Sequence, residues 1–438
     1  MYIRINDSDF ILPLNSEVAQ CRTKATLHHS FFYSATNQQP LSMSPLDYNF
    51  KILHWCGLWK TDEWLKGRKN WIYNFYTVVV CFFVFGMTGL GLLETFLSWK
   101  NLDVAIDNLF VMLSITSVCA KMITFLVYKK PIVELFKILD TDMCHVRNSK
   151  EEKTIEKNFN RLIWFRTKVF ATMAQSTVAL LILNFFIIFA PDHDLPYKIW
   201  LPGNLSTFIG YRYLLFYEII ATILANYVNI TYDTMLPGIM ILACKQFSLL
   251  KHRALRIDQK NIESNFQSYS SECVKLNKIK KPLKENKIFA TCIEHQLLIL
   301  KFIDTTKNIF GYTICVQYSV SGVTLCLTIY KLAKVDIMNP IFGTLIVYTS
   351  ALLVQIFMLC IAATELTFYS CDFCSCLYEV EWYALTLPSK MNIMFMMVQT
   401  TKPLKFTCMK FINVSLDSFF HLLKVSYSAY NVLKTSSY

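Results

Sequence analysis

Charge is scarce in this chain and glycine scarcer. Asp, Glu, Lys and Arg make up 17% of 438 residues, and there are only 11 glycines. That excludes collagen-like repeats and glycine-rich linkers. No Walker loop, nucleophile elbow, HExxH helix or dinucleotide fingerprint occurs, so no enzyme class and no cofactor are indicated. Gly86, Gly89 and Gly91 suit close helix packing and form no phosphate loop. Cys371, Cys374 and Cys376 cluster without an adjacent His or fourth Cys, which favours packing or acylation over a metal site. The first 45 residues contain no apolar run of secretory-signal length, so the first apolar stretch is expected to act as its own signal-anchor.

What the chain does have is apolar residues in long blocks. Four runs carry no charge at all, Asn70 to Leu93, Val169 to Pro191, Asn308 to Tyr330 and Ile337 to Thr364, of 24, 23, 23 and 28 residues. A bilayer core about 30 Å thick needs roughly 20 apolar residues in a helix. Two further stretches are long enough but interrupted. Val104 to Tyr128 includes Asp107 and Lys121, and Tyr211 to Ala243 includes Glu218 and Asp233 with Pro237 near its inner end. A charge near a helix end can snorkel, whereas a central one must be buried in protein or water. Of the 15 cysteines, Cys81, Cys119, Cys315, Cys326 and Cys360 fall within these stretches, and with no paired spacing in the external loops they read as mostly reduced packing residues.

The seventh candidate, Phe411 to Leu433, is the least apolar. On a helix, Lys410, Asn413, Asp417, His421, Lys424, Ser428, Asn431 and Thr435 fall in one line, at steps of three and four. Each central charge facing lipid costs about 2.5–3.5 kcal/mol on insertion scales. A continuous stripe therefore implies water or a partner subunit along it. The competing reading is an amphipathic helix on the membrane surface.

Charge placement orients the chain. Segment 129–168 carries +4 and segment 245–307 carries +7, against zero for 192–212 and +12 overall. The positive-inside rule places the two basic segments in the cytosol, as loops after spans two and four. The expected architecture is all-α with seven transmembrane helices, a cytosolic N-terminus and an extracellular C-terminus. Residues 1–70 form a cytosolic segment and 71–438 the membrane domain, with spans near 71–97, 104–128, 169–191, 211–243, 308–330, 337–364 and 411–433. The sequon at Asn204 lies in an expected external loop and is a glycosylation candidate. The run Lys278, Lys280, Lys281 and Lys284 reads as a solvated loop or a contact with anionic lipid. Topology accounts for the basic excess, so no nucleic-acid partner is expected.

Several stretches resemble the insect odorant receptors. They are Gly57-Leu58-Trp59 before the first span, Leu195 to Pro202, Asn229 to Thr234 followed by Cys244, Gln246, Leu250, His252 and Arg253, and Cys292 to Gln296. Tyr378 to Tyr383, Lys402 to Thr407 and Leu423 to Ser428 complete the set, in family order over residues 47–438. The resemblance implies a plasma-membrane receptor subunit of olfactory sensory neurons, forming a hetero-tetrameric cation channel with a shared odorant receptor coreceptor. It implies that the last helix lines the pore, with a hydrophobic gate at Val432. The second apolar pore position of the coreceptor aligns with Ser436, a departure from that pattern. Asp417, Lys424, Ser428 and Asn431 are the further pore candidates.

The resemblance also implies a pocket for a small volatile ligand among spans two, three, four and six. Depth selects Phe110, Met112, Phe185, Phe186, Phe189, Tyr213, Phe216, Tyr217 and Tyr348 as candidate lining residues. Asp233, Glu365, Asp372, Glu379 and Glu381 are placed at inner helix ends, as interfacial anchors or caps, with pairing between subunits as the other reading. A gustatory receptor of the same superfamily is the alternative, disfavoured by Pro403-Leu404-Lys405 and Ser426-Tyr427-Ser428. A G-protein-coupled receptor would have the opposite orientation, and its Asp-Arg-Tyr and Asn-Pro-x-x-Tyr features are missing.

Overall fold

The computed structural model describes residues 45–61, 68–98, 102–147, 149–184, 197, 199, 208–268, 274–409 and 412–436. Ten α-helices occur among them: α1 Asp47–Trp55, α2 Arg68–Leu97, α3 Leu102–Val127, α4 Lys129–Leu139, α5 Lys150–Asn184, α6 Phe208–Ser268, α7 Val274–Lys334, α8 Pro340–Glu379, α9 Leu387–Thr400 and α10 Leu416–Ser436. A short antiparallel hairpin, β1 Thr407–Cys408 and β2 Ile412–Asn413, precedes α10. By length and composition, five helical stretches among the described residues suit a membrane crossing, at Arg68–Leu97, Asn108–Val127, Gly210–Arg256, Asn286–Lys334 and Ile341–Glu379. α5 carries the first part of the expected third span and stops at Asn184, while residues 185–191 lie outside the described residues. α10 carries the polar stripe.

α6 and α7 are 61 residues each, about 90 Å at 1.5 Å per residue. A bilayer core takes up about a third of that. The basic segment 245–307, expected as a loop, is thus mostly the helical continuation of two spans. α6 also runs through Pro237 without a break in assignment. α8 starts cleanly because Asn339 caps it, its side chain accepting from the Ile341 amide at 3.0 Å, with Pro340 in the first turn.

Polar contacts choose which helices meet at the polar end of the bundle. Arg253 on α6 forks onto the Glu152 carboxylate of α5 at 3.0 and 3.1 Å, and donates to the carbonyls of Met143 and His145. Burial alone would raise the Glu152 carboxyl. Hydrogen bonds from Arg253 and from the Arg147 amide, with the two guanidinium charges, hold it below its ordinary value. Arg166 pairs with Glu365 at 2.5 Å and Lys251 with Asp372 at 2.8 Å. Glu365 and Asp372, inside α8 and so not caps, thus bond within the subunit, joining α5 and α6 to α8. Asp233 is not at a helix end at all. It lies in the interior of α6 and pairs with Lys121 of α3 at 2.8 Å.

The short motif before α2 has a clear local cause. Gly57 ends α1 at φ +73°, a left-handed conformation that costs other residues about 1–2 kcal/mol. A Cβ there would sit 3.0 Å from the Tyr76 ring. The turn is clasped by α2, whose Thr77 hydroxyl donates to the Gly57 carbonyl at 2.6 Å and whose Tyr73 hydroxyl donates to the carbonyls of His54 and Trp59. Asn49 of α1 then donates to the Thr231 carbonyl and Thr234 hydroxyl of α6.

Two outcomes follow from these joints. Gly57→Ala lowers stability by about 1–2 kcal/mol, read as a lower melting temperature of the detergent-solubilised chain. The depressed Glu152 carboxyl contributes stability that is present above its ordinary pKa of 4.5 and is lost as pH falls through the lower folded value. Acid unfolding curves should therefore show a smaller loss on acidification for Glu152→Gln than for the wild type, from a lower starting stability.

Candidate functional site

The helices of spans two to six do not close on one another. They leave a cavity of about 260 Å³ between α3, α5, α6, α7 and α8. Phe110 and Tyr348 form one wall, edge to face at 5.7 Å, and the Tyr348 hydroxyl meets Ser114 at 2.6 Å. The Lys331 ammonium lies 5.1 Å from the centre of the Phe110 ring. α5 contributes Phe170, Ala174 and Thr177, and small side chains at Ala225 and Ala351 make room on α6 and α8. Tyr197, from the segment between α5 and α6, lines the cavity as well. The wall is mostly apolar, with a few polar groups, which is the make-up of small-molecule sites generally.

The floor is built on charge. Lys121, with no exposure, donates to both oxygens of Asp233 at 2.8 and 2.9 Å and to Asn229 at 2.6 Å. Gln317 of α7 donates to Asp233 at 2.8 Å, and Gln355 of α8 lies beside it. Lys121 stands 5.2 Å from the Tyr232 ring centre. Asn229 and Gln355 line the cavity directly, so its contents touch this network.

Of the residues selected by depth, Phe110 and Tyr348 line the cavity. Met112 is fully buried and lies against Gly91 of α2 instead. Tyr213 and Phe216 face outward from the single chain, 74% and 65% exposed. Tyr217 leans on α2, its hydroxyl donating to the Phe83 carbonyl at 3.1 Å. Phe185, Phe186, Phe189 and Asn204 lie outside the described residues. Reading the sequence missed the face of α6 that does line the cavity: Glu218, Thr222, Asn226 and Asn229. The signal was present, because these residues and Asp233 follow one another at steps of four, four, three and four.

The last helix presents two different faces. Its inner face packs on α7 and α8: Leu422 contacts Gly322, the Ser426 hydroxyl donates to the Gly322 carbonyl at 3.3 Å, and Phe419 meets Phe357 at 5.6 Å. Its start is set by reciprocal bonds between Ser415 and Ser418. Asn413 in the hairpin and Asp417, His421, Lys424, Ser428 and Asn431 on the other face are all exposed. Val432 is 67% exposed beside them. Lys410 lies outside the described residues, as do the side chains of Thr435 and Ser436. Tyr430 packs on the cluster of Phe110, Leu327, Tyr330 and Leu345 at the cavity's rim.

Known proteins share this chain's sequence pattern and fold. Residues 101–427 match the family described as 7tm Odorant receptor. Odorant receptor 30a of Drosophila melanogaster is 23% identical over 84% of this chain and 94% of its own length. The odorant receptor coreceptor of Aedes aegypti is 25% identical over 32% of this chain and 30% of its own. The solved structure of the olfactory receptor OR5 from Machilis hrabei in complex with eugenol covers 89% of this chain and 97% of that one, at a TM-score of 0.74 and 15% identity. A second structure of the same receptor matches at a TM-score of 0.70 and 16% identity, with the same coverage.

The floor yields a stability test. Asp233→Ala leaves Lys121 a buried charge without its counter-ion, a loss of about 3–5 kcal/mol. Folded receptor recovered by size-exclusion chromatography should fall steeply. The double variant K121M/D233L, which removes both charges, should recover much of it.

Proposed function

The chain belongs to the 7tm odorant receptor family, and from that premise we propose that it is a tuning odorant receptor subunit, taking a small volatile ligand into the cavity between α3 and α8 and, with a coreceptor subunit, opening a non-selective cation pore. It acts in the plasma membrane of olfactory sensory neurons, as one member of a hetero-tetramer. The N-terminus lies in the cytosol and the C-terminus outside, as the basic segments imply. The membrane domain comprises residues 71–438, with residues 1–70 ahead of it in the cytosol.

The observation that carries this reading is one turn of α7. Val320, Ser321 and Thr324 line the cavity, while Gly322 between them accepts a hydrogen bond from Ser426 and holds Leu422 of α10. A ligand that prefers one position of α7 therefore biases the last helix. The mechanism needs only differential affinity: tenfold tighter binding to the open state shifts the equilibrium by about 1.4 kcal/mol. Apolar burial, at about 25 cal/mol per Å², supplies most of the binding. The exposed α10 face, set around an axis with the last helices of the partner subunits, gives a water path to which this chain contributes Asp417, His421, Lys424, Ser428 and Asn431, closed by dewetting at the level of Val432.

Co-expression with a coreceptor and recording of odorant-evoked current tests the reading. Val432→Asn should raise the ligand-independent current several-fold by wetting the constriction. Lys424→Glu should increase the permeability of divalent relative to monovalent cations, because it replaces a positive charge on the pore by a negative one. An epitope on Tyr438 should stain unpermeabilised cells. Full conduction by this chain expressed alone would overturn its role as a tuning subunit.

A further inference from the structure

Glu218 is at odds with the cavity it lines. The residue has no solvent exposure, and neither of its carboxyl oxygens has a hydrogen-bond partner. The Tyr197 amide lies nearby but makes no hydrogen bond of good geometry with it. The hydroxyls of Thr222, one turn along α6, and of Thr324 on α7 also line the cavity without a partner. An unpaired buried polar group is unfavourable, and a carboxyl more so than a hydroxyl. If the carboxyl is ionised it needs a counter-charge, and if protonated its O–H needs an acceptor. Among the described residues, none bonds either oxygen of the carboxyl. The other ionisable groups here are engaged, Asp233 with Lys121 and Lys331 with the Phe110 ring. Among the described lining residues Glu218 is the one acid.

We propose that Glu218 determines ligand class, and that the cavity takes a small amine whose nitrogen docks on this carboxyl while its hydrocarbon body packs against Phe110 and Tyr348. This rests on the cavity being the ligand site argued above. The neutral amine is the form that partitions through lipid. In the cavity the proton passes from the Glu218 carboxyl oxygen to the amine nitrogen, leaving an ammonium beside a carboxylate with net charge unchanged. The ammonium then donates to Glu218, and the Thr222 and Thr324 oxygens are available to accept its remaining hydrogens. Charge-assisted bonds of this kind are about twice as strong as neutral ones. An alcohol or hydrocarbon of the same shape fills the space without making them.

The test uses the full-length chain co-purified with a coreceptor subunit in lipid nanodiscs, and matched sets of primary amine, alcohol and methyl compound on one carbon skeleton, over several skeleton sizes. Binding is read as the concentration dependence of the thermal unfolding shift. In the wild type, one or more amines should bind about tenfold tighter than their partners. Glu218→Gln keeps the shape but has no acidic proton to give and forms no carboxylate, and should remove that advantage while the methyl compounds bind as before. If methyl compounds bind and no amine has an advantage, or if the advantage survives in Glu218→Gln, the assignment of Glu218 is wrong while the cavity stands as a ligand site. If no compound of any set binds, the assignment and the ligand site fall together. Should Glu218→Gln not fold, the wild-type contrast decides alone.

Discussion

A lysine and an aspartate buried together between apolar helices fix how this molecule is assembled. Apolar side chains in a bilayer give little instruction about which helix meets which, because lipid tails are as apolar as leucine. Lys121 and Asp233 do give it. Neither tolerates lipid, and each must find the other at one level and one rotation. The pair then draws in Asn229 and Gln317, so α3, α6 and α7 are tied at a single height, with Gln355 of α8 beside them. Sliding any one of them by a helical turn, about 5.4 Å, breaks the set. Toward the polar end the same logic repeats with Arg166 and Glu365, Lys251 and Asp372, and Arg253 and Glu152.

That knot also explains why a cavity persists beside it. Packed interiors rarely leave voids, since lost contacts destabilise them. Here the helices are held apart from both ends, by the charged floor and by the Phe110, Tyr348 and Leu345 rim, and the small side chains Ala174, Ala225 and Ala351 do not fill the gap. The cavity touches its supports directly, through Asn229 and Gln355 below and through Phe110 at the rim. The rim cluster also holds Tyr430 of the last helix. A ligand therefore bears on elements that are shared with α10, by way of the rim and by way of α7.

Five of the expected spans, the first, second, fourth, fifth and sixth, fall on helices that suit a membrane crossing, and they were legible because a largely apolar run of twenty or more residues is hard to place anywhere but across a bilayer. The full length of α6 and α7 was not, since their polar ends carry no apolar period to count. Pairing was not legible either. Asp233 read as a helix-end residue because the apolar stretch around it looked nearly finished, when the helix continues to Ser268. Depth alone was also a poor guide to the cavity, as it fixes height and leaves rotation open. At about 100° per residue, Phe216 lies some 200° around α6 from Glu218, and it faces out. The stripe of Glu218, Thr222, Asn226, Asn229 and Asp233 did carry the rotation. It obeys the same spacing as the stripe on the last helix, but its hydroxyl and amide members are less conspicuous among apolar neighbours than Asp417 and Lys424.

Two polar stripes on two membrane helices have opposite fates, and the contrast bears on assembly. On α6 the stripe turns inward, where Lys121, Gln317 and Gln355 meet its inner end. On α10 the inner face is already taken by Gly322, Phe357 and the cavity's rim, so the stripe can only turn outward. Asp417 and Lys424 would then each face lipid, at about 2.5–3.5 kcal/mol apiece near mid-membrane. Water removes that cost, and a lone helix on the outside of a bundle cannot hold water against a bilayer. Symmetry-related α10 helices around an axis can. Phe420, Val425, Tyr427 and Val432 share the same exposed face, so it offers both the apolar contacts through which helices associate and the polar line that needs hydration. A face of this make-up, left uncovered by a single chain, suits the proposed assembly around a pore, which the hydropathy of α10 alone does not suggest.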